Sequence, residues 1–152
     1  MSDHPFEHFV VLMMENQSFD RIFGFIDGIG KLEGTEYAVN AAGEKIYAKR
    51  GLHPVEDHRF DPPHSTMATM GQRWGGEVYT GQQPKGEAFI KSHWPLSDRT
   101  AEEAFMRCCD DQDKQLPAML SLAQNYVVCD RSFCSMPGPT APNRLFLHAA
   151  TS

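Results

Sequence analysis

The sequence has no apolar run approaching the ~20 residues of a membrane-spanning helix, so it predicts no transmembrane segment. Its first residues, Met1–Glu7, lack the basic region and long apolar stretch of a secretory signal. We therefore expect a cytoplasmic location for the chain as given. No internal repeat, low-complexity tract or interdomain linker is apparent, which favours a single domain.

Positive charge is also scarce. The formal net charge is −6 and the isoelectric point is about 5.6, which argues against nucleic acid or an anionic membrane surface as a partner. The four cysteines, which we expect to be reduced, follow no zinc-binding spacing. With 152 residues, 41% of them hydrophobic, the chain is long and apolar enough to bury a real core.

Two short apolar runs predict buried strands of the kind found inside a parallel sheet. They are HFVVLMM at residues 8–14 and YVVCD at residues 126–130. Between them, capping and turn residues predict further elements: helices over 18–25, 65–73, 100–108 and 116–124, a hairpin of 36–39 with 45–48, and a polar loop over 74–98 with one helical turn near 87–93. This order of elements favours an α/β fold.

Glu15 and Asn16 come directly after the first run. Ligands of open α/β sheets bind beyond the carboxyl ends of the strands. At that edge a carboxylate suits a cation and an amide suits an anion. In the alternative interpretation, Asn16 or Ser18 only caps the following helix.

The segment PGPTAPNR at residues 137–144 precedes a helix-compatible run. Pro142 suits the first turn of a helix, which places Thr140 at or next to the N-cap. There, unpaired N–H groups and the helix dipole can bind an anion and ease a hydroxyl toward alkoxide. Gly138 is expected to permit a turn that a β-carbon would block. The alternative is that Thr140 only caps the helix.

Two other polar segments could carry chemistry. In DPPH, at residues 61–64, His64 is a candidate phosphate contact or proton donor, since an imidazole titrates near neutral pH. Its alternative role is that of a surface histidine at a helix start. We interpret the acidic run 110–113 as a solvated connector rather than a metal site.

Three of these segments resemble signature blocks of the bacterial phosphoesterase family, which includes phosphatidylcholine-type phospholipases C and an acid phosphatase. They are VVLMMENQSFD at 10–20, DPPH at 61–64 and MPGPTAPNR at 136–144. The resemblance implies an alkaline-phosphatase-like α/β/α sandwich. It also implies a divalent metal ion held by Glu15, Asn16 and Thr140, with Thr140 as nucleophile and His64 at the phosphate. We further predict Asn16, Asn143 and Arg144 as substrate-binding residues.

Family members are several times longer, and their remaining metal ligands, an adjacent aspartate pair, lie downstream of the nucleophile. Asp110 and Asp111 precede Thr140, so they cannot be that pair. We therefore expect residues 1–152 to be the truncated N-terminal part of a phosphoesterase domain, holding part of the sheet and the nucleophile helix. Exposed apolar surface should then cause self-association. Many family members are exported, and this chain departs from them in lacking a signal.

The predicted function is metal-dependent hydrolysis of a phosphate ester, either a phospholipid or a small phosphoester, through a phosphothreonine intermediate. We expect the 152-residue chain by itself to be incomplete for this reaction and to have little or no activity alone. Two alternatives stay open. One is a non-catalytic remnant that at most binds anions or a partner, and the other is an unrelated domain that uses these loops for protein contacts.

Overall fold

The computed structural model describes residues 5–15, 17–52, 62–74, 88–91, 99–110 and 115–151. Within these ranges the chain is α/β, with short helices and strands. The helices are α1 (Phe19–Phe23), α2 (Thr66–Trp74), α3 (Ala88–Lys91), α4 (Arg99–Phe105), α5 (Pro117–Asn125) and α6 (Thr140–Ala149). The strands are β1 (Tyr37–Val39), β2 (Lys45–Tyr47), β3 (Lys49–Leu52) and β4 (Arg107–Cys109).

The antiparallel hairpin of β1 and β2 confirms the prediction from the turn residues between them. Ala38 lies opposite Ile46, and both side chains are buried. Asn40 holds the connecting turn, because its Oδ1 accepts hydrogen bonds from the backbone N–H groups of Ala42 at 3.1 Å and Glu44 at 2.8 Å. A short polar side chain that bonds its own backbone is a common way to stabilise such a turn.

The pairing of β3 with β4 was not predicted. These strands are parallel, with Arg50 opposite Cys108, and they form the second two-stranded sheet of the described residues. The predicted helix 100–108 is therefore too long: α4 ends at Phe105 and the chain continues as β4. Extended pairing with β3 buries Cys108 and Cys109, whereas a further helical turn would forfeit those ladder bonds.

The core lies where α1 packs on the β3–β4 sheet and α3 packs on the β1–β2 hairpin. Ile22 of α1 packs with Leu52 of β3 and Cys109 of β4. Two neighbouring clusters extend this core: Phe25, Ala48 and Cys108 in one, and Ala38, Ile46 and Ile90 in the other.

Helix α1 agrees with the predicted helix at 18–25 and positions the segment before it. Ser18 is the N-cap, accepting a hydrogen bond from the backbone N–H of Arg21 at 3.3 Å, and Gly24 is the C-cap. Ile22 anchors α1 in the core, and Gln17 and Glu15 lie shortly before this helix in the chain. Helices α2, α5 and α6 also begin within two residues of their predicted starts.

The two runs predicted as buried strands are not strands. Residues 8–14 and 126–129 have no regular structure, and Val10 and Val127 are 87% and 91% exposed. Strand formers become a strand only when a neighbour pairs with their backbone, and the described sheets are β1–β2 and β3–β4. The expected sheet shared by these two runs is therefore absent from the part of the chain that the structure describes.

Among those same residues, no helix has the length and apolar character that crossing a bilayer requires. Even α6 has only 10 residues.

Candidate functional site

Helix α6 begins at Thr140, as its prolines predict. Pro139 is the N-cap in an extended conformation, and Pro142 falls in the first turn, where its missing N–H leaves no bond unmade. Thr140 is therefore the first helical residue, next to the unpaired N–H groups and the positive end of the helix dipole. Its hydroxyl donates a hydrogen bond to Glu15 instead of capping the helix.

The turn before α6 is held by Asn143. Its Oδ1 accepts from the backbone N–H of Met136 at 3.2 Å, and its Nδ2 donates to the carbonyls of Met136 at 3.1 Å, Gly138 at 3.3 Å and Pro139 at 3.1 Å. The side-chain amide thus ties the helix to the turn that leads into it. The structure gives Asn143 a positioning contact, and its contact with substrate stays a prediction.

Gly138 brings this turn against the start of α2. A β-carbon at position 138 would lie 2.7 Å from Thr66 Oγ1 and 3.2 Å from Met136 Cε. The φ angle of Gly138 is not in the left-handed region. A β-carbon is therefore disfavoured at this turn, as expected, and the reason is close approach to α2 rather than a left-handed backbone conformation. The contact sets Thr140 near the segment that carries His64.

Glu15 links two residues of α6 for which the sequence predicts a function, Thr140 and Arg144. Its Oε2 accepts a hydrogen bond from Thr140 Oγ1 at 2.8 Å. Its Oε1 accepts from Arg144, through Nε at 3.2 Å and through Nη2. Thr140 and Arg144 are four residues apart, so they lie on one face of the helix. Glu15 comes from 125 residues earlier in the chain and joins this face from the side of α1.

These contacts hold the pKa of the Glu15 carboxyl below its ordinary value. The hydrogen bond from Arg144 is the largest cause, the hydrogen bond from Thr140 follows, and partial desolvation opposes both. Glu15 is therefore ionised at neutral pH. An ionised carboxylate that already holds the threonine hydroxyl has the geometry of a base beside a nucleophile.

Glu15, His64, Thr140 and Asn143 all line one open cavity of about 790 Å³. This size lies within the roughly 300–1,000 Å³ that is typical of ligand sites. The remaining walls are formed by Met13, Met14, Gln17, Ser18, Ser132, Phe133, Cys134, Ser135, Gly138, Pro139 and Leu147. The sequence analysis did not predict that residues 132–135 line the cavity. Their position directly before the PGPT turn is the feature that could have indicated it.

His64 stands at the rim of this cavity, before α2. Its Nδ1 lies 3.1 Å from the carbonyl oxygen of Pro62. A proton on Nδ1 would donate to that carbonyl and make Nε2 the acceptor in the neutral ring. The structure thus brings together all the predicted site residues except Asn16, which lies outside the described residues.

The described residues do not by themselves make a complete metal site. No group of three His, Cys, Asp or Glu side chains among them is arranged to hold a metal ion. Glu15 and Thr140 offer the oxygen donors that a hard divalent cation prefers, but the Glu15 carboxylate is already paired with Arg144. Asp110 forms an ion pair with Arg50 at 3.7 Å, and residues 111–113 of the acidic run lie outside the described residues.

The sequence profile of the Phosphoesterase family matches residues 6–152. Non-specific phospholipase C3 of Arabidopsis thaliana is 30% identical over 99% of this chain and 30% of its own length. Non-hemolytic phospholipase C of Pseudomonas aeruginosa is 28% identical over 96% of this chain and 20% of its own length. This chain therefore spans less than a third of these relatives. No solved structure matches it significantly.

Proposed function

This chain belongs to the phosphoesterase family, and on that premise we propose that it supplies the nucleophile of a phosphate-ester hydrolase of the phospholipase C type. The observation that carries the proposal is the hydrogen bond of 2.8 Å from Thr140 Oγ1 to Glu15 Oε2, formed at the first residue of α6 and inside a ligand-sized cavity. A hydroxyl, an ionised carboxylate and a helix N-terminus are the groups that attack on a phosphate ester requires.

In the proposed reaction the phosphate group of the ester lies over the N-terminus of α6, whose N–H groups face its oxygens. Thr140 Oγ forms a bond to phosphorus while the bond from phosphorus to the leaving oxygen breaks. Glu15 accepts the hydroxyl proton, and His64, acting in its doubly protonated form with Nδ1 bonded to the Pro62 carbonyl, gives its Nε2 proton to the leaving oxygen. Water then attacks phosphorus and gives a proton to His64, the bond from phosphorus to Thr140 Oγ breaks, and Glu15 returns its proton to restore the Thr140 hydroxyl.

We also propose that a divalent metal ion binds Glu15, Asn16 and Thr140, together with ligands from outside the described residues. When bound, it would neutralise charge on the phosphoryl oxygens. This proposal is supported by the oxygen atoms of Glu15 and Thr140, which are the kind of ligand that a hard divalent cation prefers. An alkaline-phosphatase-like α/β/α sandwich is the fold we propose for the whole phosphoesterase domain, supported by family membership and by the α/β content of this chain.

A phospholipid is the substrate that the cavity favours over a small phosphoester. Apolar side chains of Met13, Met14, Phe133 and Leu147 contribute to the walls near Thr140. Such walls can contact a lipid-bearing leaving group, whereas a small polar ester would leave them in water. The relatives named above carry phospholipase C names, which points the same way.

Trapping the intermediate tests the nucleophile directly. A protein in which this chain is completed by the rest of a phosphoesterase domain is incubated with a phosphate ester labelled in its phosphate, quenched in acid and digested. We expect label on the peptide containing Thr140, its loss in Thr140→Ala, and partial retention in Thr140→Ser, which keeps the hydroxyl. Thr100→Ala is the matched control, since Thr100 is an exposed threonine in the first turn of α4.

Label of wild-type intensity in Thr140→Ala would refute the assignment. If Thr140 served only as a helix cap, the Ala variant would lose about 1 kcal/mol of stability and keep its reactivity.

A non-catalytic remnant that binds anions is the second candidate function. The observation favouring it is the Arg144–Glu15 ion pair, which occupies the carboxylate expected to hold a cation. Phosphate binding without any labelling of Thr140, in the same completed protein, would support this candidate.

A further inference from the structure

The Glu15–Arg144 ion pair conflicts with the roles that the sequence predicts for its two members. Glu15 was predicted to bind a metal ion and Arg144 to bind substrate, yet each side chain uses its charged group on the other. Arg144 directs two of its nitrogens at Oε1 of Glu15, and Thr140 takes Oε2. No oxygen of the carboxylate is left without a donor in this arrangement.

The pair is open to exchange because it is not buried. The side chains of Arg144 and Glu15 are 47% and 32% exposed, and Glu15 lines the open cavity. A hydrated cation can therefore reach the carboxylate. Exposed ion pairs are weak, so a divalent cation can compete with the guanidinium for Glu15.

Resting on the phosphoesterase function proposed above, we propose that Arg144 is an exchangeable counter-ion. It holds the Glu15 carboxylate in place until a divalent cation displaces it, and the released guanidinium then binds the phosphate of the ester. Cation binding and phosphate binding are in this way coupled through a single side chain.

The chemistry of arginine suits both positions. Its planar fork of N–H donors matches a carboxylate and a phosphate equally well. The cation and the guanidinium repel each other at one carboxylate, so binding of the first favours departure of the second. Arg144 lies one helical turn beyond Thr140 on the same face, so its side chain can reach a phosphate held at the start of α6. Thermodynamic linkage then requires the phosphate to tighten cation binding by the same factor.

Titration of the 152-residue chain with Mn²⁺, followed by calorimetry, tests the exchange. Removing the competing charge in Arg144→Gln should tighten Mn²⁺ binding by about fivefold, the low end of the usual range of coupling between sites. Arg131→Gln is the control, because it deletes the same charge from an exposed arginine outside the cluster; it should change the affinity by less than about twofold. Glu15→Gln should abolish the binding.

The second arm measures phosphocholine binding with and without Mn²⁺. In the wild-type chain Mn²⁺ should tighten phosphocholine binding by about fivefold, and in Arg144→Gln the enhancement should disappear. The inference is overturned if Arg144→Gln binds Mn²⁺ no more tightly than wild type, if the enhancement survives without Arg144, or if none of these proteins binds Mn²⁺. Phosphoryl labelling of Thr140 is scored separately, so the proposed function can stand when the counter-ion role fails.

Discussion

Replacing Asn143 with alanine should destabilise the turn that presents Thr140. The Asn143 side chain accepts one hydrogen bond from the backbone of Met136 and donates to three carbonyls between Met136 and Pro139. Alanine removes all of these contacts and leaves the backbone groups of the turn without their partner.

The expected loss of stability follows from counting the bonds. The amide group has two hydrogens, so its contacts to three carbonyls amount to two full hydrogen bonds, and the bond accepted by Oδ1 makes three. At about 1 kcal/mol for each net hydrogen bond the ceiling is about 3 kcal/mol. The side chain is only partly buried, so water can replace part of this, and we expect a loss of about 2 kcal/mol.

Urea denaturation gives the free energy of unfolding, and hydrogen exchange follows the amide of Met136, which donates directly to Asn143. Asn125→Ala is the control, because Asn125 makes a single exposed bond, to the carbonyl of Ser121 at 2.7 Å. Asn143→Asp keeps the acceptor but turns a carboxylate toward the carbonyls, so it should be at least as destabilising as Asn143→Ala.

A loss in Asn143→Ala no larger than that in Asn125→Ala, with unchanged protection of the Met136 amide, would refute the positioning role. Asn143 would then be available for the substrate contact predicted from the sequence.

Three further predictions concern the core, the ion pair and the exposed apolar run. Leu52→Ala should lower the free energy of unfolding in urea by about 2–5 kcal/mol, because Leu52 is 1% exposed. Leu122→Ala, at a position that is 58% exposed, should lower it far less, and equal losses would contradict the core assignment. The lowered pKa of Glu15 stabilises the fold above the ordinary value of 4.5, and this contribution is lost as the pH falls through the folded-state pKa. The stability difference between wild type and Glu15→Gln should therefore hold from neutral pH to about pH 5 and shrink below it, and a difference that grows on acidification would oppose this reasoning. Residues 8–14 expose apolar side chains in a segment without regular structure, so the chain should self-associate in sedimentation experiments. Val10→Asp should weaken this association, and Val10→Thr should weaken it much less. A wild-type chain that is monomeric at every concentration would contradict the prediction.

Elements with local signals were predictable. Ser18 caps α1 and Gly24 ends it, and turn residues between β1 and β2 specify the hairpin. Pro142 marks the first turn of α6. In each case the determining contacts span only a few residues, so the backbone preference is present in the sequence itself.

Strands were predicted poorly because their stability is not local. The runs 8–14 and 126–130 have strand-forming residues, but no described strand pairs with them. Conversely, β3 and β4 contain Lys-Arg-Gly-Leu and Arg-Cys-Cys, which have weak strand character and form strands because they pair with each other. Pairing between segments 58 or so positions apart depends on how the helices pack, which residue preferences do not encode.

The sequence by itself determined the family, the chemical types at the site and the start of α6 at Thr140, since motifs and proline positions are read along the chain. Only the tertiary structure decided that Glu15 meets Thr140 across 125 residues and that Arg144 shares its carboxylate. The physical reason is competition. A carboxylate pairs with the donors that the fold places next to it, and the order of residues in the chain does not show which donors those are.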